Sequence, residues 1–421
     1  MSGLVKDNVF GSSGTVAAAA GGLSWDTAVV TGSTVTVEAA NGYFINTTSN
    51  ACTITLPSAA EAGDQIILID YLRTWGDNAI TIDSNGLNFQ GEADTYTVDY
   101  DTAGQSINLV YADSTKGWIP SSDIVNALTP TPPSRAIFAF GNSGSNTNIS
   151  NLVSASGVVA SDTTGVGTSR SGTGAAAYGG DKAIFGFGTP NTGITNLVSN
   201  SGVVASDTSA VGTARRFVGA TTFGGDKAIF AFGRISSRTG ISNLVSNSGV
   251  VASDTSAVGT ARDGCTGTGY GADKGIICFG YASSSTAISN LISNSGVVAS
   301  DTSAVGGVTA RHGRPAAARY GGVDAGTAFF AYGTGPVNMK NLVNSSGVIA
   351  ADVTGVGTAR EDLAAATYGP GGTTAICAFG NTEGGSVTNI SNLVSSSGVV
   401  ASDTTGVGTA RGALSASNFA G

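Results

Sequence analysis

The sequence predicts an all-β fold in two parts, a β-sandwich-like module over residues 26–125 and a closed six-bladed β-propeller over residues 135–421. Three observations carry this. The triplet N-L-(V/I) begins at 151, 196, 243, 290, 341 and 392, spacings of 45, 47, 47, 51 and 51; such a period points to propeller blades or helical arrays. Within each unit, short β-branched and aromatic runs alternate with turn signals, and no segment presents a glycine-free helical stripe. Glycine makes up 63 of the 421 residues, about twice its usual share, as a chain rich in tight turns requires.

Residues 1–25 read as an irregular N-terminal attachment arm. Over 26–125 the alternating runs "TVTVE", "GYFIN", "TITLP", "QIILID", "AITID", "TYTVD" and "SINLVY" predict strands separated by Gly, Asp, Asn and Pro turns. "DSNG" at 83–86 reads as a hairpin turn rather than half of a calcium loop, because no acidic ligand series follows it. Residues 126–134, inside "NALTPTPPSR", form a Pro-rich linker that favours an extended spacer.

In the repeat unit "RRFVGATTFGGDKAIFAFGRISSRTGISNLVSNSGVVASDTSAV", the turns "GGD" and "NSG" each separate two short runs at hairpin spacing. Each unit is therefore expected to be four antiparallel strands, a to d, with the small-residue strand a ("GAAAY", "GATTF", "TGTGY", "AAARY", "AAATY", "SASNF") innermost on a narrow channel. The repeat region begins at strand b ("RAIFAFG", 135–141) and ends at strand a ("SASNF", 415–419), so the first and last segments are expected to share a blade. Such closure leaves no free sheet edge.

The order "RRFVGATTF", turn, "DKAIFAFG" resembles the kelch propeller, although strand b ends in one glycine, such as Gly188, and strand d carries Val203 and Val204 where kelch units have a double glycine and a Trp. The repeat "NLVSNSGVVASDTSAVGTAR…YGGDKAIFGFG" further resembles repeats of tail-fibre and other virion structural proteins of tailed phages, especially phages of cyanobacteria. "GYFINTT…ITLPSAAEAGDQIILIDY…NAITIDSNG…INLVYADSTKGWIP" resembles a small β module of phage tail-fibre proteins. The resemblance implies a virion location, an N-terminal part attached to other tail or baseplate proteins, and a distal part that meets the host. It also implies a homotrimer.

The chemistry-bearing residues are few. "YGGDKAIFGFG" at 178–188 looks like a phosphate loop around Lys182, but a strand follows it where a phosphate loop needs a helix. His312, the one histidine, lies in a connection, so a Ser–His–Asp triad is not expected. Cys52, Cys265, Cys278 and Cys377 are scattered and read as buried free thiols, with no metal site and no cofactor. Each unit carries one Asp in strand d (Asp162, Asp207, Asp254, Asp301, Asp352, Asp403) and one Arg eight or ten residues later (Arg170, Arg215, Arg262, Arg311, Arg360, Arg411). A glycosidase needs a unique carboxylate pair; a set repeated six times reads as structural, fixing turns or pairing across blades, with a functional ring at the channel mouth as the other reading. The chain is therefore not expected to be an enzyme.

Formal net charge is −9 and only 11% of residues are charged, so few phosphates could be neutralised and nucleic-acid binding is not expected. Membrane insertion is not expected either, for want of a long apolar run. The N-terminus does not read as a secretory signal.

Alternating strand direction places the a–b and c–d turns on one face and the b–c loops and d–a connections on the other. The c–d turns are nearly constant ("SNSG" and its variants), whereas every b–c loop and every d–a segment differs. Drift on an unconstrained surface and a recognition face on a rigid scaffold both fit this asymmetry. On the second reading the receptor-binding anchors are Arg216, Phe217, Arg234, Arg238, Tyr281, His312 and Arg314, and the ligand is a host surface glycan or envelope protein. The function expected is that of a tail fibre or related appendage that binds without catalysis. A purely structural virion component (collar, baseplate or capsid decoration) and a cellular kelch-type adaptor are the alternatives.

Overall fold

The computed structural model describes residues 23–93, 98–121, 134–304, 306–322 and 325–419. The described residues are all-β apart from two short 3-10 turns, and the chain divides into two compact units, Met1–Pro130 and Thr131–Gly421. The linker expected at 126–134 lies outside the described residues save Ser134, as does the arm expected at 1–25 save its last three residues.

The N-terminal unit holds β1 (Ser24–Val30), β2 (Thr34–Thr36), β3 (Asn41–Ile45), β4 (Cys52–Thr55), β5 (Gln65–Asp70), β6 (Ile80–Asp83), β7 (Val98–Tyr100), β8 (Ser106–Tyr111) and β9 (Trp118–Pro120). They form two sheets, β1-β3-β5-β8-β9 and β2-β4-β6-β7. The first six strands alternate between the sheets, and within each sheet these strands pair in parallel; only β7, β8 and β9 pair antiparallel. The one hairpin turn expected in this segment, "DSNG", lies between β6 and β7, which pair antiparallel. "DSNG" is a turn with Asn85 and Gly86 at positive φ, and it leads to an isolated bridge, Phe89 with Glu92, rather than straight into β7. Alternation of apolar residues reports which face is buried and says nothing of which strand lies alongside. The faces themselves follow the pattern: Ile66 and Leu68 of β5 are fully buried against Ile45, Ile54, Trp75 and Trp118.

The C-terminal unit contains six three-stranded antiparallel sheets. Sheet 1 holds β10 (Arg135–Ala139) and β11 (Ser150–Val153), and sheet 2 holds β12 (Gly174–Tyr178), β13 (Lys182–Gly186) and β14 (Thr195–Val198). Sheet 3 is β15 (Gly219–Phe223), β16 (Lys227–Ala231) and β17 (Ser242–Val245); sheet 4 is β18 (Thr266–Tyr270), β19 (Lys274–Cys278) and β20 (Ser289–Ile292). Sheet 5 is β21 (Ala316–Tyr320), β22 (Thr327–Gly333) and β23 (Val337–Val343); sheet 6 is β24 (Ala364–Tyr368), β25 (Thr374–Ala378) and β26 (Ser391–Val394). The last strand, β27 (Ser415–Phe419), pairs with β10 and completes sheet 1 from the far end of the chain.

The strands called a line one another in order: β12 on β15, β15 on β18, β18 on β21, β21 on β24, β24 on β27, and β27 on β12. Their Ala and Gly residues border a cavity of about 280 Å³ with Thr221, Thr268 and Arg319. The expected fourth strand is not a strand. It meets strand c through isolated bridges such as Val245↔Val251 and Ser242↔Thr255 and through single backbone bonds such as Ala252 N–H to the Leu244 carbonyl at 2.8 Å. The Asn243 side chain adds to these by donating to the Ala252 carbonyl and the Asp254 carboxylate at 3.0 and 2.9 Å.

The constant c–d turns have a packing cause. Gly249 of sheet 3 lies against the Tyr178 ring of sheet 2, so that a Cβ there would sit 3.0 Å from the ring. Gly157, Gly202, Gly296, Gly347 and Gly398 meet Tyr368, Phe419, Phe223, Tyr270 and Tyr320 in the same way. Gly249→Ala combines that clash with φ +80, whereas Gly225→Ala meets nothing within 4 Å at φ +79. Thermal unfolding should separate them: about 1 kcal/mol lost for Gly225→Ala, from backbone strain alone, and about 3 kcal/mol for Gly249→Ala.

Candidate binding face

Each repeat Arg is buried, five of them with no exposed surface. Arg170 shows the arrangement. Its guanidinium lies 4.1 Å over the Phe140 ring of sheet 1. Its Nε donates to the Phe187 carbonyl of sheet 2 at 2.9 Å, and its Nη2 donates to Asn196 Oδ1. The ring below is in every case the last aromatic of the preceding strand b, held at positive φ: Phe140, Phe187, Phe232, Phe279, Tyr332 and Phe379. Planar, weakly hydrated guanidinium suits this stack where lysine would not. Burial lowers the Arg170 pKa to about 10, with Asp207 pulling the other way.

The Asp partners are not those nearest in sequence. Asp207 sits 3.8 Å from Arg170, 37 positions earlier, and accepts from the Thr168 backbone N–H and hydroxyl at 3.0 and 2.6 Å. Asp162 does the same for Thr409, near the other end of the unit. These groups are joints between successive sheets. Two sets of participants escaped the sequence reading, the Asn of each N-L-(V/I) and the Thr two residues before each Arg. The signal for Asn was present: a polar residue repeated six times on a strand otherwise built of buried residues.

The d–a connections form a hydrogen-bonded circuit. Gly172 N–H donates to Ala413 O, Phe217 to Gly172, Gly264 to Phe217, Arg314 to Gly264, Asp362 to Gly313, and Ala413 to Asp362, over 2.7 to 3.1 Å. Five of the six connections also pair with a b–c loop, Gly412 with Asn142, Ser171 with Thr189, Arg216 with Arg234, Asp263 with Tyr281, and Glu361 with Asn381, and at the sixth the Thr334 N–H donates to the His312 carbonyl at 2.9 Å. The variable residues therefore stand on a fixed backbone. Their chemistry is uneven. Sheets 1 and 2 present Gly, Asn, Ser and Thr at these positions, while sheets 3 to 6 present Arg, Asp, Tyr and Glu, together with His312.

That richer side encloses a cavity of about 500 Å³ lined by Phe217, Arg234, Arg238, Asp263, Tyr281, His312, Arg314, Thr334, Glu361 and Asp362 among others. Six of the seven anchors expected from sequence meet there. Asp263 bonds Arg238 Nε at 2.8 Å and lies 4.0 Å from Arg234 Nη1. Arg238 stacks 4.5 Å over Tyr281, and His312 meets the same ring edge-on at 4.9 Å. The imidazole Nδ1 is 2.8 Å from the Ser285 hydroxyl. Asp362 has its pKa raised by burial, with Arg314 opposing.

Two anchors differ from expectation. Arg216 is the one outside this cavity lining; it bonds Asn191 Oδ1 at 3.0 Å. Arg314 is buried rather than displayed. Its Nη2 donates to the Thr173 carbonyl of the sheet 2 connection at 2.6 Å and to the hydroxyl of Ser415, the first residue of β27 in sheet 1, at 2.8 Å. It ties the richer side of the circuit to the opposite one. Arg314→Ala should lower the stability of the C-terminal unit by about 1 kcal/mol, since two buried oxygens lose one partner each but keep the bonds between the Ser415 hydroxyl and Thr173; the denaturant midpoint measures this.

The four cysteines are free and buried, and among the described residues no group of three or more His, Cys, Asp or Glu could hold a metal. No family model and no curated protein matches the chain.

Proposed function

We propose that the C-terminal unit is a closed six-bladed, kelch-like propeller and the binding head of a tail fibre or related virion appendage of a tailed phage. The N-terminal part attaches to tail or baseplate proteins, and the head binds a host surface glycan or envelope protein without turnover. Closure is supported by the β10–β27 pairing and by the circuit of connections. The phage assignment rests on the likeness of the repeats and of the N-terminal module, which also makes a homotrimer the expected state.

The observation that carries the binding role is the contrast between the faces. The constant face is constant because its glycines pack on neighbouring rings. The variable face keeps an equally fixed backbone but changes its side chains, and it gathers charged and aromatic ones around a cavity. Side chains free to vary on a fixed frame suit recognition. The repeated Arg and Asp are committed to joints, which suits binding rather than catalysis.

The test is adsorption of the labelled full chain to candidate host cells, together with its location on intact particles by antibody-gold imaging. Saturable adsorption that blocks phage attachment is expected. Particle labelling with no adsorption to any permissive host would hand the assignment to a purely structural virion component.

A further inference from the structure

We propose that the cavity between the connections of sheets 3 to 6 is a subsite for a carboxylate-bearing saccharide residue. This rests on the receptor-binding reading and names the ligand class of that same face.

The argument starts from unequal pairing. Arg234 and Arg238 share one carboxylate, Asp263, which touches Arg238 through Nε and Arg234 only at 4.0 Å. The Arg238 Nη groups stay available while its plane is fixed by Tyr281 on one side. Two guanidiniums around one carboxylate leave room for a second, and the guanidinium fork recognises a carboxylate bidentately. Arg234 keeps 41% of its side chain exposed, so a ligand can reach it.

The same lining also carries the other sign, in Glu361 and Asp362, together with Thr334. Carboxylates accept from ligand hydroxyls, and a Thr hydroxyl accepts or donates. Ligands bearing several phosphates would be repelled by these carboxylates. Peptide side chains would find little to fill, because Phe217 and Tyr281 are the large apolar groups of the lining. A ring bearing one carboxylate and several hydroxyls satisfies both sets of groups, with Phe217 and Tyr281 as apolar contacts. At about 500 Å³ the space falls within the range of small-ligand sites, about 300–1,000 Å³.

The test uses the full chain against immobilised oligosaccharides ending in glucuronate, galacturonate or sialate, and against neutral counterparts ending in glucose or galactose. At least one acidic member should bind at least tenfold tighter than its neutral counterpart. Arg238→Gln and Arg234→Gln should each weaken that binding at least tenfold while unfolding remains a single cooperative transition well above the assay temperature, and Arg135→Gln in β10 leaves the binding unchanged. Equal binding of acidic and neutral members, binding of none, or indifference to both Arg substitutions would overturn the subsite. So would an Arg238-dependent preference for a short Glu-rich peptide over every saccharide. Cell adsorption separates the two readings: adsorption that survives both Arg substitutions sinks the subsite and leaves the receptor role standing. Acidic-saccharide binding without adsorption to any host sinks the receptor role and leaves the subsite.

Discussion

Arg411→Ala should lower the stability of the C-terminal unit by about 3 kcal/mol, the combined effect of a void and two buried acceptors left bare. The Arg411 guanidinium lies 4.3 Å over Phe379 of sheet 6. Its Nε donates to Phe140 O and its Nη2 to Asn151 Oδ1, both at 2.8 Å and both in sheet 1. One side chain therefore joins segments 271 positions apart. For a unit of this size the melting temperature should fall by roughly 6–10 °C. Arg411→Lys should recover little, because an ammonium supplies neither the planar stack nor the Nε donor at that point. Arg215→Ala is the informative control. It should cost a similar amount, since Arg215 lies between Phe187 and the Phe232 carbonyl in the same manner, but it joins sheets that are already neighbours in sequence. Amide exchange in β27 should accelerate in Arg411→Ala and stay slow in Arg215→Ala. Equal exchange in the two variants would mean that Arg411 has no special part in holding the chain ends together.

The same arginines show how far the sequence could be read. Repetition exposed six units and their turn chemistry, because every unit solves one packing problem with the same residues. The sharing of a sheet by β10 and β27 was legible from where the repeat begins and ends. Partners were harder. Asp162 and Arg170 stand eight residues apart and look like a pair, yet Asp162 serves Thr409, and Arg170 sits beside Asp207. Spacing along the chain cannot report a contact set by how sheets stack. In the N-terminal unit, alternation located β5 and β8 but not the parallel pairing of β3 with β5, since both pairings bury the same face. On the variable face, the loops that vary were identifiable and so were six of the residues that meet in the cavity. The burial of Arg314 was not, because nothing in "RHGRPAA" records that the chain turns this side chain toward sheets 1 and 2. Asp263, Glu361 and Asp362 lie in the same variable segments but are short acids, whose reach into a shared cavity depends on the backbone path and not on the length or aromaticity that marks an anchor in sequence.

Acid should unfold the C-terminal unit through its six repeated carboxylates. Burial alone would raise each of Asp162, Asp207, Asp254, Asp301, Asp352 and Asp403. Hydrogen bonds from a Thr hydroxyl, an Asn amide and a Thr backbone N–H, with the nearby Arg, more than offset it, and every one lies below its ordinary value. A folded carboxyl that binds its proton more weakly than the unfolded one stabilises fully above the unfolded pKa, about 3.9. That contribution is lost as pH falls through the folded value, because the unfolded chain then takes up more protons. Stability should therefore hold down to about pH 5 and decline below pH 4. Replacing three of the six (Asp207→Asn, Asp254→Asn and Asp301→Asn together) should lower stability at pH 7 and flatten the acid limb, so that the gap to the unsubstituted protein closes near pH 3. Asp362 has the opposite sign. Its raised carboxyl destabilises the folded state at neutral pH and gains a proton first on acidification, so Asp362→Asn should raise stability at pH 7 and steepen the acid decline. Urea midpoints followed by circular dichroism measure both effects. Fluorescence follows the N-terminal unit separately, because Trp25, Trp75 and Trp118 all lie in it. An acid limb as steep in the triple variant as in the unsubstituted chain would show that these joints do not set the pH dependence.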